Sequence, residues 1–244
     1  MLATAKLICA PDWQAILRTE SVASIYALAT GTVVKRGQTT EVRRVEICGR
    51  TVFIKKYWSN SFGQLWSGAL RGTFFGKSKA RREYENLHRL REWGFDAPAP
   101  VAYGEERRAG WMVRSCLISE AIPNAVSLDE YRQLPYELAD IVRRLHARGF
   151  VHHDLYWRNI ILSGNRFFLL DAHKGGPGDI AQDLATLDAA APFFFRRTER
   201  LRFFLRYRQH ESLTTEDKQL IARLLALAAP QRDRQLKRIR EARR

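Results

Sequence analysis

The sequence predicts an α+β fold in two lobes: an N-terminal lobe with an antiparallel sheet and one long helix, and a mainly helical C-terminal lobe. Short β-branched segments separated by turns fill residues 32–57, and such segments form antiparallel meanders. Beyond Pro123 the apolar residues change to helical spacing. We place the boundary near residues 120–124, so that residues 1–121, with a helical preamble, form the N-terminal lobe and residues 122–244, with a basic helical tail, form the C-terminal lobe.

Strand and helix patterns alternate along the chain. A helical preamble over residues 11–28 precedes a long helix over residues 77–93, whose apolar positions are three and four apart and which ends at Gly94. In the strand predicted over residues 51–57, Lys55 lies on the face opposite Ile54. Strands are predicted over residues 32–35, 41–47, 51–57, 111–114, 117–122, 160–162 and 167–170, and later helices over residues 134–148, from about 180, and 215–229.

Composition excludes several classes of protein. The chain has 244 residues, 45% hydrophobic and 27% charged, which is typical of a globular protein and excludes disorder and fibrous repeats. Its apolar runs are short, so neither a transmembrane span nor a secretory signal is expected. Three cysteines with no C-x-x-C spacing favour a reducing cytosol over a disulfide framework or a zinc site.

The charge is strongly basic, with a formal net charge of +15. The excess is concentrated in residues 196–244, where arginines and aromatic residues interleave over residues 202–208. Such a surface favours polyanionic partners, and nucleic acid, anionic lipid and phosphorylated sugars all fit it. The alternative is a solvated arginine-rich helical surface with no partner.

The densest chemical signal is residues 151–159, which read VHHDLYWRN and precede a predicted hairpin that ends at Asp171. They match the H-x-D-x-x-x-x-N catalytic loop of phosphotransferases. Asp154 would accept a hydroxyl proton, while Asn159 and Asp171 offer hard oxygen ligands to Mg²⁺. Arg158 would lie against the transferred phosphoryl group, and a surface ion pair is an equally good interpretation. His152 is interpreted as a buried organiser of the loop.

Two further residues complete a phosphotransferase set. Lys55 ends a strand as the lysine of V-A-I-K does in kinases, where its ammonium meets the nucleotide phosphates. Glu83 shares a helical stripe with Ala80 and Leu87, whereas Glu85 points elsewhere. We therefore expect Glu83 to face Lys55. The alternative is that both are ordinary surface charges.

With these residues in this order, the chain resembles the protein-kinase-like fold, and within it the bacterial lipopolysaccharide kinases. Those enzymes phosphorylate heptose or 3-deoxy-D-manno-octulosonic acid in the lipopolysaccharide core. The resemblance implies ATP and Mg²⁺ as cofactors, Asp154 as the base, and a core glycolipid or related sugar as acceptor. It also implies a cytoplasmic protein, peripheral at the inner-membrane face and its anionic surface, with no specific nucleic acid. Nucleotide contacts are expected at Lys55, Gly37, Thr39, Thr40, Glu120 and Ile122.

The chain departs from regulated protein kinases in three ways. The glycine-rich loop is reduced to Gly37, so backbone amides and the two threonines there would contact the phosphates. Asp171 is followed by alanine and histidine instead of phenylalanine and glycine. Only residues 172–182 separate Asp171 from Asp183, which leaves little room for a segment that holds a peptide.

These departures favour a small-molecule or glycolipid kinase, and two alternatives stay open. One is a small protein kinase or an antibiotic phosphotransferase of the same fold, although the basic surface would repel a cationic aminoglycoside. The other is a non-catalytic kinase-like protein, either a binding scaffold or a nucleic-acid-binding protein. The reduced loop at Gly37 supports that second alternative, and the presence of the complete catalytic set opposes it.

Overall fold

The computed structural model describes residues 3–17, 20–27, 30–58, 76–131 and 135–241. The chain divides into two compact units, an N-terminal unit, Met1–Pro123, and a C-terminal unit, Asn124–Arg244. The first is built around an antiparallel sheet and the second is mainly helical. The predicted α+β fold class is therefore confirmed. None of the described helices is both long and apolar enough to cross a bilayer.

The described part of the N-terminal unit contains a six-stranded sheet. Its strands are β1 Ala3–Cys9, β2 Thr32–Arg36, β3 Thr40–Ile47, β4 Arg50–Trp58, β5 Pro100–Arg108 and β6 Trp111–Glu120. Their spatial order is β1-β5-β6-β4-β3-β2. The predicted meander of three strands is confirmed as β2, β3 and β4, which pair in sequence order.

The sequence does not predict β1 or β5, and it predicts a break within β6 that the structure does not contain. β5 lies between β1 and β6, and its first seven residues are all buried. A strand covered on both faces shows no alternation of apolar and polar residues, so the pattern fails there. Ser115 and Cys116, at the predicted break, are buried and paired with both neighbouring strands.

Burial alternates along β4 as the sequence predicts. Val52 and Ile54 are fully buried, whereas Lys55 on the opposite face is partly exposed. The buried pair joins a core that includes Trp13 and Ile25 from the preamble. Alternation on β4 therefore directs Lys55 away from the core and towards the face where chemistry is expected.

The helical preamble predicted over residues 11–28 is wrong as one helix. The structure has a 3₁₀ turn, Pro11–Trp13, and a separate helix, α1 Val22–Ala27, while residues 18, 19 and 28 lie outside the described residues. Reciprocal hydrogen bonds between the backbone amides and hydroxyls of Ser21 and Ser24 start the second helix, in the manner of a capping box.

The long helix of the N-terminal unit, α2 Lys79–Glu92, confirms the prediction over residues 77–93 to within two residues. Ser78 caps its N-terminus by accepting a hydrogen bond from the Arg81 amide. Gly94, with φ of +77°, follows the last turn, as expected of a helix-ending glycine. The buried stripe of α2 consists of Ala80, Glu83, Asn86, Leu87 and Leu90.

The C-terminal unit contains a small sheet and five described helices. Its elements are β7 Val126–Ser127, α3 Leu128–Tyr131, α4 Tyr136–Ala147, β8 Ile160–Ser163, β9 Arg166–Leu169, α5 Ile180–Asp188, α6 Arg197–Arg208 and α7 Thr215–Glu241. The predicted hairpin is confirmed as β8 and β9. The helix predicted over residues 134–148 is α4, and residue 134 lies outside the described residues. The sequence does not predict α6.

The last helix, α7, continues past Pro230, where the sequence predicts an end at residue 229. A proline inside a helix removes one backbone hydrogen bond and is unfavourable. Tertiary contacts just beyond it hold the chain: Gln231 accepts a hydrogen bond from the Tyr156 hydroxyl at 2.8 Å, and Arg232 donates to Asp188 at 2.7 Å. These contacts offset the local cost of the proline.

The segment that follows β9 is tightly packed. It forms a 3₁₀ turn, Ala172–Lys174, and Gly176 then exchanges two backbone hydrogen bonds with Val151, of 2.8 and 3.0 Å. Between them, Gly175 lies directly against the buried ring of Phe150. Only glycine fits this approach, so the segment is held at a fixed distance from the start of the H-x-D-x-x-x-x-N loop.

We expect Gly175→Ala to lower the free energy of unfolding by about 1–3 kcal/mol, the usual cost of overpacking. The added Cβ would lie 2.0 Å from Cζ of Phe150. Gly176→Ala is the matched control, because a Cβ there would meet nothing within 4 Å. Urea denaturation measures both variants, and equal stabilities would contradict the close packing.

Candidate active site

The N-terminal unit contributes an ion pair between β4 and α2. Nζ of Lys55 lies 2.5 Å from Oε1 of Glu83, and the Tyr57 hydroxyl donates to the other carboxylate oxygen at 3.0 Å. The side chain of Glu83 is 2% exposed and that of Lys55 is 21% exposed. The predicted pairing is confirmed, while its role at the nucleotide phosphates stays a prediction. Tyr57, two residues after Lys55 on the same face, completes the pair and was missed.

Gly37 and Thr39 lie in the turn between β2 and β3, and Thr40 begins β3. The Gly37 amide donates to the Thr40 carbonyl at 2.8 Å, and the Thr39 carbonyl accepts from the Trp58 amide at 3.1 Å. The Gly37 amide therefore stabilises the turn itself, which weakens the prediction that this amide donates a hydrogen bond to a nucleotide phosphate. The two threonine hydroxyls stay predicted contacts.

The predicted nucleotide contacts at the end of β6 differ in their surroundings. The Glu120 carboxylate accepts hydrogen bonds from the Trp13 indole at 3.3 Å and from Arg50, and its amide donates to the Ala99 carbonyl. Its side chain thus fastens the preamble to the sheet. Ile122 follows the strand and is partly exposed. Nucleotide binding at both positions stays a prediction.

In the C-terminal unit, both carboxylate oxygens of Asp154 are held. Nδ2 of Asn159 donates to Oδ2 of Asp154 at 3.0 Å and to its carbonyl at 2.8 Å. Nζ of Lys174 donates to Oδ1 at 3.2 Å. The structure thus brings together two residues of the motif and one lysine that sequence reasoning missed. An exposed lysine in a glycine-rich segment carries no local signal of such a role.

A buried carboxylate shapes the loop that carries Asp154. Asp183, at the start of α5, is fully buried and accepts from the backbone amides of His152 at 2.6 Å and His153 at 2.8 Å. Its Oδ2 also lies 3.2 Å from Nε2 of His146. His152 is itself buried, as predicted, and burial lowers the pKa of its imidazole. The role of Asp183 as the acceptor for this loop was missed.

Asp171 lies directly after the hairpin, with φ of +60°. The preceding amide, that of Leu170, donates to the Asn159 carbonyl at 2.8 Å, so the hairpin end adjoins the motif asparagine. Asp171 Oδ1 is 2.8 Å from Nδ1 of His173. The 3₁₀ turn folds His173 back onto Asp171.

The two proposed metal ligands have suitable chemistry. The amide nitrogen of Asn159 donates to Asp154, and its Oδ1 is the side-chain atom that can bind a cation. Asp171 adds a carboxylate that is 30% exposed. Hard oxygen donors of this kind fit Mg²⁺. Metal binding by these residues stays a prediction.

Arg158, which was predicted to lie against the transferred phosphoryl group, contacts the ring of Tyr156 in the structure. Its guanidinium lies 4.2 Å from the centre of the Tyr156 ring, a cation–π distance. The Tyr156 hydroxyl in turn donates to Gln231 of α7. The structure therefore directs Arg158 onto an aromatic side chain, and contact with a phosphoryl group stays a prediction.

A lysine–glutamate pair on a sheet and helix, together with an H-x-D-x-x-x-x-N loop in a helical unit, defines a protein-kinase-like protein. Residues 29–191 match the lipopolysaccharide kinase (Kdo/WaaP) family. This match covers more than half of the chain, and the chain belongs to that family.

Curated relatives of two kinds are similar to this chain. A lipopolysaccharide core heptose(I) kinase WaaP of Escherichia coli is 28% identical over 148 residues, 54% of this chain and 55% of that protein. A 3-deoxy-D-manno-octulosonic acid kinase of Actinobacillus succinogenes is 28% identical over 177 residues, 65% of this chain and 72% of that protein. The chain thus spans about half the length of the Escherichia coli relatives.

A solved structure, described as WaaP in complex with acyl carrier protein, has the same fold. The TM-score is 0.68 at 22% sequence identity, and the match covers 93% of this chain and 99% of that one. This likeness supports the fold assignment.

We expect Lys55→Ala and Glu83→Ala to be strongly non-additive in catalytic efficiency. Each side chain orients the other at 2.5 Å, so losing either one already disrupts the pair. A double-mutant cycle on kcat/KM measures the coupling. A double variant whose loss equals the sum of the two single losses, in free-energy terms, would show that the pair does not act together.

Proposed function

We propose that this protein is an ATP-dependent kinase that transfers the γ-phosphate to a sugar hydroxyl of the lipopolysaccharide core, on heptose or 3-deoxy-D-manno-octulosonic acid. The observation that carries the proposal is the Asp154 carboxylate, held by Asn159 and Lys174 within the phosphotransferase motif. Family membership supports the class of substrate. Relatives of both named activities match, so both sugars are candidate acceptors.

In the proposed reaction Asp154 orients the acceptor hydroxyl and takes its proton. As the acceptor oxygen bonds to the γ-phosphorus, the bond from that phosphorus to the β–γ bridging oxygen breaks and ADP leaves. Lys55, oriented by Glu83 and Tyr57, would bind the nucleotide phosphates. Mg²⁺, when bound by Asn159 and Asp171, would neutralise phosphate charge.

The short segment after Asp171 favours a small acceptor over a protein substrate. A 3₁₀ turn, the backbone bridge from Val151 to Gly176, and the approach of Gly178 to the His153 ring hold residues 172–179 close to the catalytic loop. α5 then begins at Ile180. A tightly packed segment of this length supports a sugar kinase and weighs against a protein kinase.

A non-catalytic binding role is less well supported. All five residues of the predicted catalytic set are present, and two pairs of them are in contact, Lys55 with Glu83 in the N-terminal unit and Asp154 with Asn159 in the C-terminal unit. The turn at Gly37 is the feature that still favours the binding alternative.

The proposed location is the cytoplasmic side of the inner membrane, where ATP and a lipid-linked acceptor are both accessible. Two of the arginines predicted to contact an anionic surface form salt bridges within the protein. Arg206 pairs with Asp140, and Arg208 pairs with Asp217. The exposed cations of this region include Arg196, Arg197, Arg202 and Arg234. Each is worth about 1 kcal/mol near an anionic surface, so peripheral binding stays a proposal.

A second partner is suggested by an apolar cavity in the C-terminal unit. Its volume is about 350 Å³, and its lining includes Trp157, Leu201, Phe203, Phe204, Ile221, Leu224 and Leu225. This volume is within the roughly 300–1,000 Å³ range of small-ligand pockets. Arg197 and Arg200 also line it. Because the structurally similar WaaP was solved with an acyl carrier protein, we propose that this cavity receives the acyl chain of such a partner.

The kinase proposal is tested by transfer of labelled γ-phosphate from ATP to heptose-containing and 3-deoxy-D-manno-octulosonic acid-containing core oligosaccharides, peptides and aminoglycosides. Transfer to a core oligosaccharide is expected. Asp154→Asn should lower kcat by about 10² to 10⁴ and leave Mg·ATP affinity nearly unchanged. Asp233→Asn, at an exposed aspartate of α7, is the control. Wild-type transfer to peptides alone would refute the sugar acceptor, and turnover above about a tenth in Asp154→Asn would refute the base.

The partner proposal is tested by calorimetric titration with acylated and unacylated acyl carrier protein. We expect acylation to raise affinity at least about tenfold, since only the acyl chain fills the cavity. Leu201→Trp should abolish that preference by occupying the space. Leu227→Trp is the matched control, because both leucines are 38% exposed and only Leu201 lines the cavity. Equal affinity for the two carrier forms would contradict the proposal.

A further inference from the structure

Lys174 is placed to act directly on the group that receives the proton. Its ammonium is 3.2 Å from Oδ1 of Asp154, while Asn159 occupies the other oxygen. The Lys174 side chain is 51% exposed and the Asp154 side chain only 14%. The lysine therefore lies on the open side of the carboxylate, the side from which an acceptor hydroxyl can enter.

We propose that Lys174 is a catalytic residue of phosphoryl transfer, a role that rests on the proposed kinase function. Its ammonium holds the Asp154 carboxylate in place before the acceptor binds. When the acceptor hydroxyl reaches Asp154, the ammonium turns to the oxygens of the transferring phosphoryl group and compensates their charge.

The backbone around Lys174 is fixed while its side chain can move. Lys174 ends the 3₁₀ turn, and Gly175 closes that turn with a hydrogen bond from its amide to the Ala172 carbonyl at 3.0 Å. The contact between Gly175 and Phe150 and the bridge from Gly176 to Val151 then hold the following residues. The Cα of Lys174 thus stays at a constant distance from Asp154. The four rotatable bonds of its side chain let the ammonium reach either the Asp154 carboxylate or a phosphoryl group beside it.

The strength of the pair also fits this role. An ion pair with one half-exposed partner contributes little net stability, because water screens it and both side chains lose freedom. An incoming hydroxyl can therefore displace Lys174 from Asp154 easily. The same charge next to a phosphoryl group, with water excluded by the acceptor, interacts far more strongly.

Arg158 is a cation within the motif, and its contacts differ from those of Lys174. Its guanidinium stacks on Tyr156, and the Tyr156 hydroxyl is bound to Gln231. Moving Arg158 to a phosphoryl group would sacrifice that stacking. Lys174 already lies at the base, so the structure assigns the charge-compensating role to Lys174.

The test compares Lys174→Met, Lys174→Arg and Lys174→Ala with wild type on the core oligosaccharide that accepts phosphate. Lys174→Met should lower kcat by about 10² to 10³, the range seen on removing one electrostatic stabiliser, with Mg·ATP affinity and Tm unchanged. Lys174→Arg should retain more of the rate because it keeps the charge. Ethylammonium added to Lys174→Ala should restore part of kcat. Lys218→Met, at an exposed lysine of α7, is the control.

The possible outcomes separate this inference from the kinase proposal. Wild-type transfer together with a Lys174→Met rate above about half would overturn the role of Lys174 and leave the kinase standing. A rate loss accompanied by a lower Tm and no rescue by ethylammonium would show a structural lysine and would likewise overturn it. A wild type that transfers phosphate to no acceptor would refute the kinase proposal and, with it, this role.

Discussion

The H-x-D-x-x-x-x-N loop depends on the buried carboxylate of Asp183, which accepts hydrogen bonds from two of its backbone amides. An ionised group buried without partners is very costly, so its hydrogen bonds to the loop amides and to His146 are obligatory. His146 Nδ1 lies 2.8 Å from the Tyr207 hydroxyl, and burial raises the pKa of Tyr207 to about 12. The same imidazole meets Asp183 through Nε2, at 3.2 Å. One carboxylate thus connects α4, α5, α6 and the loop.

The N-terminal unit also contains a buried carboxylate whose oxygens accept hydrogen bonds, that of Glu83. Glu83 is almost fully desolvated, yet both of its carboxylate oxygens have donors, one from Lys55 and one from Tyr57. The helix that carries it is fastened at its start, where the Ser78 amide donates to Glu105 at 3.0 Å. In both units the hydrogen bonds that a buried carboxylate requires also fix a neighbouring group. Glu83 fixes the Lys55 ammonium, and Asp183 fixes the backbone at His152 and His153.

The arginine excess has a similar explanation. Asp188 binds Arg200 and Arg232, and the buried Asp217 binds Arg208, with the side chain of Asp217 fully buried. The hydrogen bonds that Asp217 accepts outweigh the effect of its burial and hold its carboxyl pKa well below the usual range. Arg200, Arg208 and Arg232 therefore help to hold the C-terminal unit together, whereas other arginines of the last helices face solvent.

By itself the sequence determined what local periodicity can encode: the meander, the faces of β4, the helical stripe that carries Glu83, and the residues of the catalytic loop. Only the tertiary structure decided that Lys174 contacts Asp154, twenty residues away. It also decided that Asp183 accepts a hydrogen bond from the amide of His152, thirty-one residues away, and that β1 and β5 join the sheet. The reason is physical. A repeat of 2 or 3.6 residues records which side of one element is buried, whereas the choice of a distant partner depends on how separate elements pack.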